Sequence, residues 1–190
     1  MKEQASKERV ILGIDPGTQI MGYGLILERG SKLTLLNLGV IKLQHLSTHA
    51  LKLKHIFSKV SALVQEYKPD CMALEAPFYG KNIQVMLKLG RAQGVAMAAA
   101  LQYDIPIFEY SPRKIKQSVT GNGSSSKEKV AAMLQQILKF KETPTFLDAT
   151  DGLAVAVCHS FQKTSSSTLG GSKSYSGWEA FVKDNSSRVK

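Results

Sequence analysis

Apolar positions change period along the chain in a way that marks out its elements. Arg9–Ile14 (RVILGI) is a β-branched apolar run of strand length, ended by the turn signal Asp15-Pro16-Gly17. Met21–Glu28 and Leu33–Leu43 follow as two more strands, linked by a turn containing Gly30-Ser31. Short links predict an antiparallel meander. The spacing then turns helical from His49 to Tyr67, with Leu53, Ile56, Phe57, Val60, Leu63, Val64 and Tyr67 on one stripe. Lys68-Pro69-Asp70 stops that helix. Cys71–Glu75 (CMALE) predicts a short buried strand, Asn82–Tyr103 a long helix and Ile105–Glu109 another strand. Ser111-Pro112 is a helix start, since proline suits the first helical position. Thr120–Ser126 (TGNGSSS) predicts a flexible loop, and Ser125-Ser126-Lys127-Glu128 a capping box for a helix over Lys127–Phe140. Phe146–Gln162 is the last helix.

This order predicts one α/β domain over residues 9–163, a mixed five-stranded sheet with helices on both faces and right-handed β-α-β crossovers. Residues 1–8 are polar and read as a flexible terminus. Residues 164–190 hold mostly Ser, Gly and Lys without periodicity and read as a Ser-rich disordered tail.

Composition narrows the classes. The chain has 190 residues and a net charge of +10, and most of that excess lies before the tail. A basic globular part suggests a polyanionic partner. No apolar run approaches the ~20 residues of a membrane helix. The charged start MKEQASKERV has no apolar signal region, and two isolated cysteines, Cys71 and Cys158, form no zinc or disulfide pattern. A cytoplasmic protein with no membrane partner is expected. His45, His49, His55 and His159 show no catalytic pairing, and His159 reads as structural.

The candidate chemistry is acidic. Asp15 and Glu75 end strands, where α/β sheets place their sites. Asp148 and Asp151 stand three apart, hence on one helix face, amid small and apolar residues. No basic residue lies between Phe146 and His159 to neutralise them. Converging carboxylates repel, and hard divalent cations are the remedy, with all-oxygen ligands favouring Mg²⁺ or Mn²⁺. Arg113, Lys114, Lys116, Lys127 and Lys129 form a basic cluster that suits a phosphate backbone. Phe78 and Tyr79 follow Glu75 closely, placed to stack on unpaired bases. Gly90, Gly94 and Ala98 share one stripe of the long helix, which suits either a subunit contact or packing on the chain's own sheet.

Gly13-Ile14-Asp15-Pro16-Gly17-Thr18, Gly22-Tyr23-Gly24, Leu74-Glu75, Lys88–Ala96 and Asp148–Ala154 together resemble the RuvC-type Holliday-junction resolvases over about residues 9–160. The resemblance implies an RNase H-like fold, a homodimer, and symmetrical Mg²⁺-dependent nicking of two opposed strands of a four-way DNA junction in recombination and repair. It implies Asp15, Glu75, Asp148 and Asp151 as ligands for two Mg²⁺, Mn²⁺ substituting, and Lys116 and Lys127 at the scissile phosphate. Phe78 is implied as a wedge, and a branch-migration motor as a partner. Ala76-Pro77 departs from the pattern, which has a polar residue after the glutamate. Two alternatives stay open: an RNase H-like nuclease acting on RNA, and a non-catalytic junction-binding module. The segment Gly13–Thr18 also resembles the first phosphate loop of the actin-like ATPases, but the chain offers no second such loop.

Overall fold

The computed structural model describes residues 8–77, 82–140 and 147–166, with side chains through 162. Phe78, Tyr79 and nearly all of the predicted tail lie outside the described residues. Strands β1 (Glu8–Asp15), β2 (Ile20–Arg29), β3 (Lys32–Lys42), β4 (Cys71–Glu75) and β5 (Ile107–Tyr110) form one sheet in the order β3-β2-β1-β4-β5. β1–β2 and β2–β3 pair antiparallel, whereas β1–β4 and β4–β5 pair parallel. The meander and the two parallel pairings are thus as the sequence predicts, with ends shifted by one or two residues.

Helices α1 (His49–Tyr67), α2 (Ile83–Leu101), α3 (Pro112–Thr120), α4 (Lys127–Leu138) and α5 (Leu147–Ser166) cover both faces. Alternation in the strands builds the two cores. Leu12, Ile14, Met72 and Leu74 point to one face and pack with Ile56, Val60, Ala92 and Ala96 of α1 and α2. Ile11, Cys71 and Ala73 point to the other and pack with Ile115, Leu134, Leu153 and Val157 of α3, α4 and α5. Cys71 and Cys158 are buried free thiols.

Local chemistry sets the helix ends. Thr48, Asn82, Ser111 and Ser126 are extended N-caps whose side chains accept from a backbone N–H three residues on. α1 ends at Lys68, a left-handed residue whose N–H donates to the Val64 carbonyl, and Pro69 prevents continuation. α3 ends at Gly121 with φ +76°, where glycine carries no Cβ penalty. The capping box differs from expectation. Ser126 is the cap, so Glu128 sits one position early. Ser125 instead shares a 2.8 Å hydrogen bond with the Thr120 hydroxyl. That bond, with Asn122 accepting from the Ser124 N–H at 2.9 Å, closes the predicted open loop on itself.

α5 lies unusually close to the sheet because glycines face it. A Cβ at Gly22 would fall 1.8 Å from the Asp148 carbonyl oxygen, and one at Gly13 would fall 2.2 Å from that of Gly152. No side chain fits there, so β1, β2 and α5 touch backbone to backbone. This contact positions the first turn of α5 over the end of β1.

Candidate active site at the carboxyl end of the sheet

Asp15 is the last residue of β1, and Glu75 the last of β4, the parallel strand beside it. Asp148 and Asp151 occupy the first turns of α5, brought above Asp15 by the glycine contact. One carboxylate oxygen from each of Asp15, Asp148 and Asp151 lies within 4.8 Å of the other two. Glu75 stands outside that tight set, yet it is the charge acting most strongly on Asp15.

Electrostatics follow from this crowding. Burial, then Glu75, Asp151 and Asp148, push the Asp15 carboxyl from its ordinary 3.8 up to about 8, against the opposing pull of Lys127. Burial and Asp151 likewise raise Glu75, while Lys127 and Lys116 pull it back. The sequence showed no basic residue between Phe146 and His159, and the structure supplies one from α4. Lys127 Nζ donates to Asp151 Oδ2 at 2.5 Å and lies 3.7 Å from Asp148 Oδ1. Burial opposes its charge, but the hydrogen bond to Asp151 and the charges of Asp151, Asp148 and Asp15 raise the ammonium overall.

The predicted site residues therefore separate into groups. Asp15, Glu75, Asp148, Asp151 and Lys127 share one charge network, and Lys116 joins it through Glu75. Glu75, Lys116, Lys127 and Asp151 line one small cleft. Arg113 and Lys114 are exposed on α3 and are not among the charges acting on Asp15 or Glu75. Sequence reasoning missed the mechanical role of Gly13, Gly22 and Gly24. Their alternation in two paired strands opposite a small-residue helix was the available signal. It also missed Gln93, which is buried, donates to Glu109 at 2.6 Å and lines a second cleft with Asp15 and Glu75.

Clustered carboxylates whose pKa is raised by burial and by mutual repulsion are a donor set that fits a hard divalent cation. Such a cluster at the sheet's carboxyl end, under a helix crossing β1 and β2, defines the RNase H-like nuclease architecture. Comparison with known proteins sharpens this class. The family model for crossover junction endodeoxyribonuclease RuvC matches residues 11–159. A protein of that name from Cytophaga hutchinsonii is 59% identical over 183 residues, 96% of this chain and 89% of that one. Another from Bacteroides fragilis is 54% identical over 189 residues, 98% and 99% of the two chains. The fold matches Thermus thermophilus RuvC in complex with Holliday junction substrate, with TM-score 0.77 and 30% identity. That match covers 83% of this chain and 96% of the other. This chain belongs to the RuvC family of crossover junction endodeoxyribonucleases. No helix among the described residues is long and apolar enough to cross a membrane.

Proposed function

We propose that the chain resolves four-way DNA junctions by hydrolysing one phosphodiester in each of two opposed strands. Lys127 bridging Asp148 and Asp151, with Asp15 within 4.8 Å of both acids, is the observation that carries the reading. It describes a site of excess negative charge that Lys127 and Lys116 only partly offset.

Asp15, Asp148 and Asp151, with Glu75 beside them, would hold Mg²⁺. When bound, the ion pair of a two-metal centre lowers the pKa of water and stabilises the charge on the leaving oxygen. The protein's own residues do the rest. Asp15 gives up its proton to solvent as it becomes a ligand. Glu75 orients the water on the β4 side. Lys116 and Lys127, which share the cleft with Glu75 and Asp151, hold non-bridging oxygens of the scissile phosphate. Arg113 and Lys114, exposed on α3, contact the flanking backbone, and Phe78 and Tyr79 stack on bases beside the cut. Residues 9–163 are the catalytic domain.

The working unit is a homodimer. Gly90, Gly94 and Ala98 are exposed, and among the described residues no atom beyond the local helix lies within 4 Å of a Cβ built at Gly90 or Gly94, which argues against packing on the chain's own sheet. Leu87 and Leu101, 51% and 54% exposed, extend the same stripe of α2. This stripe, small and apolar apart from Arg91, suits a second copy across a two-fold axis, giving two equivalent sites for two opposed strands.

A gel assay on a synthetic four-way junction, a matched duplex and an RNA–DNA hybrid tests the reading. Paired nicks confined to the junction and dependent on Mg²⁺ are expected. Cleavage of the hybrid instead, or binding without cleavage in Mg²⁺ and Mn²⁺, would overturn it.

A further inference from the structure

A second cationic surface lies on the other side of the acidic centre, where the α3–α4 cluster does not reach. α1 and α2 pack together on the sheet face opposite α5. The first turn of each holds no acidic residue. Lys52 stands one turn into α1, and Lys88 and Arg91 lie one turn apart on α2. Among the described residues these three form no ion pair. Lys52 Nζ instead donates to the Thr18 carbonyl at 3.1 Å and to Gln19 Oε1 at 3.0 Å. Both acceptors are neutral and belong to the turn that follows Asp15, so this cation is tied to the acidic centre without losing its charge.

His49, the first residue of α1, sits where the three fields meet. Its Nε2 is buried with no hydrogen-bond partner. Burial, then Arg91, Lys88 and Lys52, hold the imidazole below its ordinary value. None of the three cations has an acidic partner among the described residues, and a phosphodiester backbone supplies oxygens that accept from such side chains.

We propose that Lys52, Lys88 and Arg91 form a second phosphate-binding track that grips the DNA backbone on the α1–α2 side of the acidic centre. With Lys116 and Lys127 on the opposite face, the scissile phosphate is then flanked by cations on both sides of the sheet edge. A strand entering the site is held before and after the point of cleavage. The inference rests on the junction-resolving function proposed above and extends it to the path of the DNA.

The test measures junction affinity of the full chain against salt concentration, without divalent cations, for wild type and Lys88→Gln/Arg91→Gln. Both side chains are exposed, so the fold is retained, and gel filtration checks the oligomeric state. Affinity should fall about tenfold and the salt slope by about 1 to 2, one for each phosphate no longer neutralised. Lys59→Gln, farther along α1, should leave the slope unchanged. In the wild type, histidine NMR should show the His49 pKa rising on junction binding as phosphate offsets its cationic neighbours. Wild-type binding with an unchanged variant slope, or a His49 pKa indifferent to the junction, overturns this inference alone. A wild type that binds no junction overturns the proposed function with it.

Discussion

The two ends of α5 solve the same problem in opposite ways. At its start, Asp148 and Asp151 meet Asp15 and Glu75, and Lys127 is the cation that bridges the helix's two acids. Eleven residues beyond Asp148, His159 is 2% exposed and uses both ring nitrogens. Arg9 donates to Nε2 at 3.3 Å, and the Tyr110 hydroxyl lies 2.7 Å from Nδ1. Because Arg always donates, Nε2 accepts, and the proton sits on Nδ1, bonded to the tyrosine oxygen. Arg9 is also paired with Glu28, its cross-strand partner. The far end is balanced and serves to hold the helix down. The near end is left short of positive charge, and that imbalance is what gives it affinity for cations and phosphates.

The sharpest way to break this contrast is to remove the carboxyl group that a bound cation would ionise. Asp15→Asn should lower cleavage at least about a thousandfold, some 4 kcal/mol of transition-state stabilisation, while junction binding persists. It should also leave the metal-free fold no less stable. Single-turnover cleavage and urea unfolding on one preparation check both halves. A loss of stability equal to that of a core mutation would make Asp15 structural.

Substitution at the balanced end should act on stability instead. Arg9→Met strands Glu28 with its carboxylate mostly buried, and about 2–4 kcal/mol of unfolding free energy should be lost. Cleavage per folded molecule should stay near wild type. Gly22→Ala couples the two ends, because its methyl group would collide with the Asp148 backbone. A cost of about 1–3 kcal/mol is expected from overpacking, together with weaker cation binding as the first turn of α5 is displaced.

The same imbalance also couples stability to a proton. The Asp15 carboxyl titrates near 8 when folded and near 3.8 when unfolded. Between those values the folded chain holds a proton that the unfolded chain has released, so metal-free stability falls as pH rises through this window. Thermal unfolding from pH 5 to 9 should show the decline, and Asp15→Asn should flatten it. Mg²⁺ binding near pH 7 should release about one proton, read by calorimetry in two buffers of different ionisation enthalpy. No release would mean that the site is already ionised and the repulsion overstated.

The order of elements, the helix caps and the identities of the acids were legible in the sequence. Caps and turns involve groups within about four residues, so the start at Ser111-Pro112 and the stop at Lys68-Pro69 declare themselves locally. The capping box was misplaced by one residue because Ser125 answers to Thr120, in the loop behind it, and not to the helix ahead. The four carboxylates were legible because strand ends and helix faces follow from periodicity. Tertiary structure alone decided which charges meet. Lys127 and Asp151 stand 24 positions apart, and nothing local says that α4 delivers its first residue to α5. It also decided that the Gly90–Ala98 stripe faces outward, and that Lys88 and Arg91 gather around His49. Backbone preference is settled by neighbours along the chain. Electrostatic energy depends on distance through space and on burial, and both are fixed only when the helices have docked on the sheet.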